Sequence, residues 1–303
     1  MNARRWRGRS HGGGLGHALV HAFARYGGLR LCYALLIPPT CWFFVRDAAA
    51  RRATVRFWRR VRPDLGRWGH LVMTWRHFFS FARNLADRFL VGVDPGCLSW
   101  ENRGQQRMEA AMRHPQGCIL LSAHLGNWEL AGRWLTRHEH GTVNIVMLLD
   151  EDPEVREQLT SAMGDHPFGI IDLRDPFGAS LEIAAALHRG ETCCMLGDRT
   201  AGSDRNAVAV PFLGEPARFP TGPFIAAAVT GALIVPIFSV KSGIDTYFIE
   251  ADEPFTLSFS SRATRQAELT AAVARWAKLL ERVVRRHPLQ WQNFYDFWKN
   301  SEP

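Results

Sequence analysis

Cys118-Ile119-Leu120-Leu121-Ser122-Ala123-His124-Leu125-Gly126-Asn127-Trp128-Glu129-Leu130 is the stretch on which the reading of this chain turns. Its first six residues are apolar or small and follow the breakers Pro115 and Gly117, the pattern of a short buried strand. His124 then stands at the strand's carboxyl end, the edge at which open α/β sheets hold their ligands. Asn127 suits the cap of a helix running through Glu129, Leu130, Trp134 and Leu135, and Glu129 falls in its first turn, where negative charge is favoured. If the intervening loop turns back, a Glu129 oxygen accepts the Nδ1 proton of His124 and fixes the tautomer whose Nε2 can take a proton from a hydroxyl. The same spacing also fits a hydrogen-bonded structural histidine, and Asn127 is either a cap alone or a donor to a developing oxyanion.

Outward from this stretch, strand and helix patterns alternate. Strands are expected at 118–123, 143–149, 169–172, 192–196, 207–210, 233–240 and 247–250, and helices near 127–137, 153–163, 178–189, 221–230 and 264–287. The alternation predicts an α/β domain, a mixed sheet flanked by helices on both faces. Residues 203–206 read as a loop near the site. Arg199 follows the 192–196 strand and lies beside the His124 strand end if the two run parallel, as a clamp for a phosphate or as an ion-pair partner of Asp198. Arg218, Thr221 and Gly222 form a basic turn opening an apolar helix, suited to an anion or simply to a helix start.

Composition bounds the rest. The chain has 303 residues, 47% hydrophobic and 22% charged, enough for one sizeable core and unlike a disordered protein. Its formal net charge of +8, from 37 Lys+Arg against 29 Asp+Glu, suits an anionic lipid surface or an acidic carrier protein. Nucleic acid is disfavoured, because no zinc-finger spacing, aromatic RNA-binding signature or long basic helix is present. The cysteines Cys32, Cys41, Cys97, Cys118, Cys193 and Cys194 lack metal-ligand spacing and read as reduced thiols of a cytoplasm-facing protein. His17 and His21 would share a helix face, but no acidic or cysteine partner joins them and no metal or cofactor is expected.

The N-terminal part reads differently. Residues 29–45 are strongly apolar, and the charge-free run 31–45, interrupted by Pro38-Pro39, falls short of the ~20 residues of a clean span, so a broken, half-inserted or in-plane anchor is expected. Residues 46–62 interleave arginines with Val55, Phe57, Trp58 and Val61, the pattern of an amphipathic helix on an anionic surface. A second aromatic helix over 68–90 is expected to pack on the core instead. The chain thus divides into an N-terminal helical membrane anchor at 1–62 and a catalytic domain at 63–303, and removing 1–62 is expected to release a folded domain from membranes.

His124-Leu125-Gly126-Asn127-Trp128-Glu129 resembles the His-x4-Asp/Glu motif of the lysophospholipid acyltransferase superfamily, in the form found in lipid A biosynthesis acyltransferases. Further blocks resemble that family in order: Met195-Leu196-Gly197-Asp198-Arg199, the stretch from Val210 to Pro223, Leu233-Ile234-Val235-Pro236-Ile237-Phe238, and Pro288-Leu289-Gln290-Trp291. The family usually carries Gln at the position of Arg199, and its C-terminal segment continues into Trp-x-His where this chain reads Trp291-Gln292-Asn293. The resemblance implies an O-acyltransferase at the cytoplasmic face of a bacterial inner membrane. It implies an acyl carrier protein or acyl-CoA thioester as donor and a lipid or glycolipid hydroxyl, lipid A precursor-like, as acceptor. It implies His124 as base and Glu129 as its orienter, with Asn127, Asp198, Arg199, Arg218, Thr221 and Gly222 on the substrate side. An aryl polyene or aminolipid acceptor, or a non-catalytic membrane scaffold of the same fold, are the alternatives.

Overall fold

The computed structural model describes residues 28–94, 96–130, 141–148, 168–200 and 206–298. The early histidines and the arginines at 4–9, the helix expected at 153–163, most of the loop 203–206 and the continuation of the 127–137 helix past Leu130 lie outside the described residues.

The strands are β1 (Ser99–Arg103), β2 (Cys118–Ser122), β3 (Val143–Met147), β4 (Phe168–Asp172), β5 (Thr192–Leu196), β6 (Ala207–Phe212), β7 (Glu215–Pro220), β8 (Leu233–Lys241) and β9 (Thr246–Ala251). Seven of them form one sheet in the order β1-β9-β8-β2-β5-β3-β4, while β6 and β7 make a separate hairpin. Every neighbouring pair in the large sheet is parallel except β8 with β9. This is the mixed sheet that the alternating pattern predicts. The sequence pattern missed β1, whose residues Ser-Trp-Glu-Asn-Arg sit at an exposed sheet edge and therefore carry no apolar alternation.

The helices are α1 (Gly28–Arg46), α2 (Ala48–Val61), α3 (Arg67–Val93), α4 (Gln105–Met112), α5 (Pro176–His188), α6 (Gly222–Thr230) and α7 (Arg265–Arg286). β2 is buried along its whole length because both sheet faces are covered. Ile119 and Leu121 point into a large cluster containing Cys193, Ile234, Ala179, Phe224, Trp276 and Leu280, contributed by the neighbouring strands and by α5, α6 and α7. Cys118 and Leu120 point the other way, against Val235, Ile237 and the α4 residues Met108, Ala111 and Met112. All six cysteines are free.

α1 is long and apolar enough to cross a membrane by length and composition alone, and a turn at Leu36 interrupts it just before Pro38-Pro39. Leu31, Leu35, Ile37, Trp42, Phe43 and Val45 are exposed on it, whereas Cys32 and Tyr33 are buried against the domain. α2 departs from the expectation that its aromatic stripe faces lipid. Phe57 and Trp58 are 1% and 0% exposed and belong to the main core cluster, in edge contact with His77 of α3. An amphipathic pattern specifies that one face is covered and does not specify by what. Two of its arginines have protein partners too: Arg56 pairs with Asp296, and Arg60 pairs with Glu215 while lying 4.1 Å over the Trp298 ring.

This burial changes the outcome expected of truncation. Deleting residues 1–62 removes Phe57 and Trp58 from the core, and loss of one buried aromatic side chain already costs about 3–5 kcal/mol. A chain beginning at 48 loses buried Tyr33 and its hydrogen bond to Asp87 but keeps Phe57 and Trp58, and is therefore expected to melt cooperatively below the full protein, whereas a chain beginning at 63 should unfold at much lower temperature still or aggregate. Equal melting temperatures for the two would contradict the packing described here. α3 behaves largely as its pattern predicts: Phe78 is buried, Phe81 packs on Phe294 and Trp75 stacks on Phe79, with Trp68 and Val72 left exposed at its start.

Candidate active site

The sheet register builds the site. β2 and β5 are parallel neighbours with Ser122 opposite Leu196, so residues two positions past each strand end, His124 and Asp198, emerge side by side at the carboxyl edge. Gly197 N donates to Ser122 O at 2.8 Å, holding the two chain ends together beyond the last ladder pair. His124 Nδ1 lies 2.8 Å from Asp198 Oδ1, and the His124 main-chain N–H donates to Asp198 Oδ2 at 3.0 Å. The imidazole is 23% exposed and the carboxylate 1%, so one member of the pair meets solvent and the other does not.

Burial by itself would raise the pKa of Asp198, but the neighbouring His124 with its hydrogen bond, the Arg199 charge and the Trp291 indole N–H outweigh it and hold the group at about 2. Asp198 is thus an ionised acceptor near neutral pH. An ionised carboxylate at Nδ1 requires that nitrogen to carry the proton, which leaves Nε2 as the basic nitrogen of the neutral ring.

Glu129, the orienter expected from the spacing, does not reach His124. Gly126 explains why. Its φ is +67° and a Cβ there would fall 1.7 Å from Ser239 O, so only glycine allows the chain to press against β8 at this point. Asn127 N then donates to Ser239 O at 2.9 Å, and the helix opening at Trp128 carries Glu129 toward α3, where Arg88 Nη1 meets its carboxylate at 2.5 Å. Asn127 likewise does not stand on the substrate side. It is wholly buried, its Oδ1 accepts from Arg88 Nε at 3.1 Å and its Nδ2 donates to the Asn84 carbonyl at 3.1 Å, so its polar atoms are turned into the protein and away from any substrate.

Asp198, expected on the substrate side, instead faces the histidine. Arg199 neither forms the expected ion pair with Asp198 nor stands clear of the protein: its Nη2 donates to the Gln292 carbonyl and its guanidinium lies 5.5 Å from the Tyr295 ring centroid. Thr221 is buried and its hydroxyl donates to Asn206 O at 2.9 Å, while Gly222 opens α6. α6 ends where β8 begins, so its N-terminus is directed toward the carboxyl edge of the sheet. Arg218 sits on β7 opposite Ala209.

Two elements escaped the sequence reading. The first is a polar face of α3, where Asn84 donates to Gly126 O at 3.1 Å, Arg88 holds Asn127 and Glu129, and Asp87 accepts from Tyr33, Tyr247 and Lys241. A helix of alternating aromatics and cations offers no local sign of which polar residues turn inward. The second is the C-terminal segment, which straps the histidine loop: Gly126 N donates to Gln290 O at 2.8 Å, Gln292 N to His124 O at 2.7 Å, and Gln292 Nε2 to Gly126 O at 2.6 Å. The Pro-Leu-Gln-Trp stretch at 288–291 was its one visible sign.

The fold and site define an α/β protein with a partly exposed histidine and a buried, ionised aspartate at the carboxyl edge of a mixed sheet. Residues 72–300 match the model of the bacterial lipid A biosynthesis acyltransferase family, and the chain belongs to that family. Among curated relatives it is similar to a phosphatidylinositol mannoside acyltransferase of Mycobacterium tuberculosis (strain CDC 1551 / Oshkosh), 30% identical over 223 residues covering 71% of this chain and 62% of the relative. The protein of the same name from strain H37Rv is 29% identical over the same shares. That of Mycolicibacterium smegmatis is 24% identical over 72% of this chain and 70% of the relative. The chain spans about three fifths of the length of the M. tuberculosis relatives it matches.

Proposed function

We propose that this protein is a membrane-associated O-acyltransferase that moves a fatty acyl chain from a thioester to a hydroxyl of an anionic glycolipid, with His124 as general base. The observation that carries the reading is the 2.8 Å contact of His124 Nδ1 with the buried, ionised Asp198, on a ring that is 23% exposed. Nε2 takes the proton from the acceptor hydroxyl as its oxygen bonds to the thioester carbonyl carbon. The tetrahedral intermediate collapses, the carbon–sulfur bond breaks, and the departing sulfur leaves as a thiol with the proton returned from Nε2. A thiolate leaves readily, so no acyl-enzyme is needed, and the developing imidazolium is balanced by Asp198. Glu129 acts at one remove, fixing Arg88 and through it Asn127 and the turn after His124.

The acceptor class rests on the family and on the relatives' names, which describe acylation of a mannosylated phosphatidylinositol; lipid A precursors share with it a sugar hydroxyl on an anionic lipid. The exposed apolar face of α1 and the net charge of +8 support a monotopic seat on the cytoplasmic side of the inner membrane. The test is turnover of a labelled acyl thioester in vesicles containing either a phosphatidylinositol mannoside or a lipid A precursor, with mass spectrometry of the product. Ester-linked acylation of one of them is expected, and acylation of neither, with thioester consumption equal to a protein-free control, would overturn the reading.

An acyl carrier protein is the proposed donor. With a carrier thioester the rate is expected to fall several-fold between low and physiological salt, because attraction between a basic surface and an acidic carrier is screened over a Debye length of about 8–10 Å. With the coenzyme A thioester it should change less. Equal salt dependence would count against a carrier dock.

A further inference from the structure

Among the described residues Asp198 receives three hydrogen bonds, and two of them, from the Nδ1 and main-chain N–H of His124, come from the residue it is meant to orient. The third is from Trp291 Nε1 to Oδ2 at 3.1 Å. We infer that Trp291 is a positioning residue for acyl transfer, its indole N–H locking the Asp198 carboxylate in the rotation that keeps Oδ1 on His124. The inference rests on the reading of His124 as base.

Trp291 is built for such a role. It is fully buried, with ring centroids of Phe57, Phe212 and Phe297 at 5.3, 5.4 and 5.0 Å, so the indole cannot swing away from the carboxylate. Its main chain is clamped to the same loop that carries the base. Leu125 and Trp291 form an antiparallel bridge, flanked by Gly126 N to Gln290 O at 2.8 Å and Gln292 N to His124 O at 2.7 Å. On its other side His77 Nε2 reaches Trp291 O at 2.8 Å. A carbonyl only accepts, so that nitrogen donates, and burial keeps the ring neutral by pulling His77 down to about 4. One residue thus fixes the main chain of the base and the side chain of its orienter.

Without the indole donor, Oδ2 keeps, among the described residues, the His124 main-chain N–H alone, and the carboxylate gains freedom about its terminal torsion. The Nδ1 bond matters most when the imidazole becomes charged, so the loss should fall on turnover and not on substrate binding.

The test uses the full-length protein in vesicles containing phosphatidylinositol mannoside or a lipid A precursor, whichever is acylated, with an acyl-coenzyme A donor. Trp291→Phe is expected to lower kcat about tenfold, the consequence of one hydrogen bond to a charged group, with KM unchanged within about twofold. Replacing Trp291 by 3-benzothienylalanine, which keeps the bicyclic shape and lacks the N–H, should give the same loss, and it carries the test if Trp291→Phe does not fold. Trp298→Phe removes an indole from the same cluster, one that bonds Phe212 O at 3.3 Å and not Asp198, and should leave kcat near wild type. Adding Trp291→Phe to Asp198→Asn should cost little more than Asp198→Asn alone. Wild-type kcat in the benzothienyl variant, an equal loss in Trp298→Phe, or multiplicative losses in the double variant would each overturn the inference. Wild-type turnover in Asp198→Asn would overturn the underlying pair, and the positioning role with it.

Discussion

Asp198→Asn is expected to slow acyl transfer by on the order of 10²–10⁴-fold while the fold survives. The geometry dictates why an amide fails here. Oδ2 faces two donors, His124 N–H and Trp291 Nε1–H, so the single oxygen of asparagine must sit at that position. Its NH₂ then faces Nδ1 and selects the imidazole tautomer with the proton on Nε2, which cannot act as a base. Glu129→Gln should cost less than about tenfold, because the amide oxygen can still accept from Arg88 and the imidazole is untouched. Rates measured side by side in purified, folded variants check this. The opposite order, with Glu129→Gln near inactive and Asp198→Asn active, would restore the orienter expected from spacing alone.

Lys241→Met is expected to destabilise the protein by about 3–5 kcal/mol, the usual cost of leaving one charge of a buried pair without its partner. Lys241 Nζ lies 2.8 Å from Asp87 Oδ2, and the side chains are 5% and 0% exposed. Burial pushes the lysine below its ordinary pKa, and the adjacent carboxylate opposes that shift. Tyr33 donates to the same carboxylate at 2.6 Å, and Tyr247 donates to it too, its hydroxyl oxygen lying 3.1 Å from the side chain of Asn84, the residue that supports Gly126. The cluster therefore joins the apolar N-terminal helix to the turn beneath His124. Chemical denaturation should show the loss, and a Lys241→Met/Asp87→Leu double variant should recover much of it, since no buried charge is then unpaired. An unfolding free energy unchanged in Lys241→Met would mean that the pair contributes nothing.

The fold class and the histidine were legible because both are local: a six-residue apolar run with breakers before it and a histidine after it can be read without any neighbour. The partner of the histidine was not. Asp198 lies 74 residues away, and only the adjacency and register of β2 and β5 bring it to Nδ1, whereas Glu129, five positions along, is carried off by the turn at Gly126. α2 teaches the same lesson about surfaces. Val55, Phe57, Trp58 and Val61 mark a covered face, and the covering turned out to include α3 and the main core. The strap at 290–292 and the inward face of α3 hold the site through main-chain and amide contacts, which leave little trace in residue type.

His124→Ala is the variant on which the central claim stands. In a purified sample whose melting temperature matches wild type, acyl transfer from a labelled thioester to the glycolipid should fall to the level of a protein-free control, because no other described side chain contacting Asp198 is placed to take the hydroxyl proton. Turnover near wild type in that sample would contradict the account, and the family resemblance would then describe a fold without this mechanism.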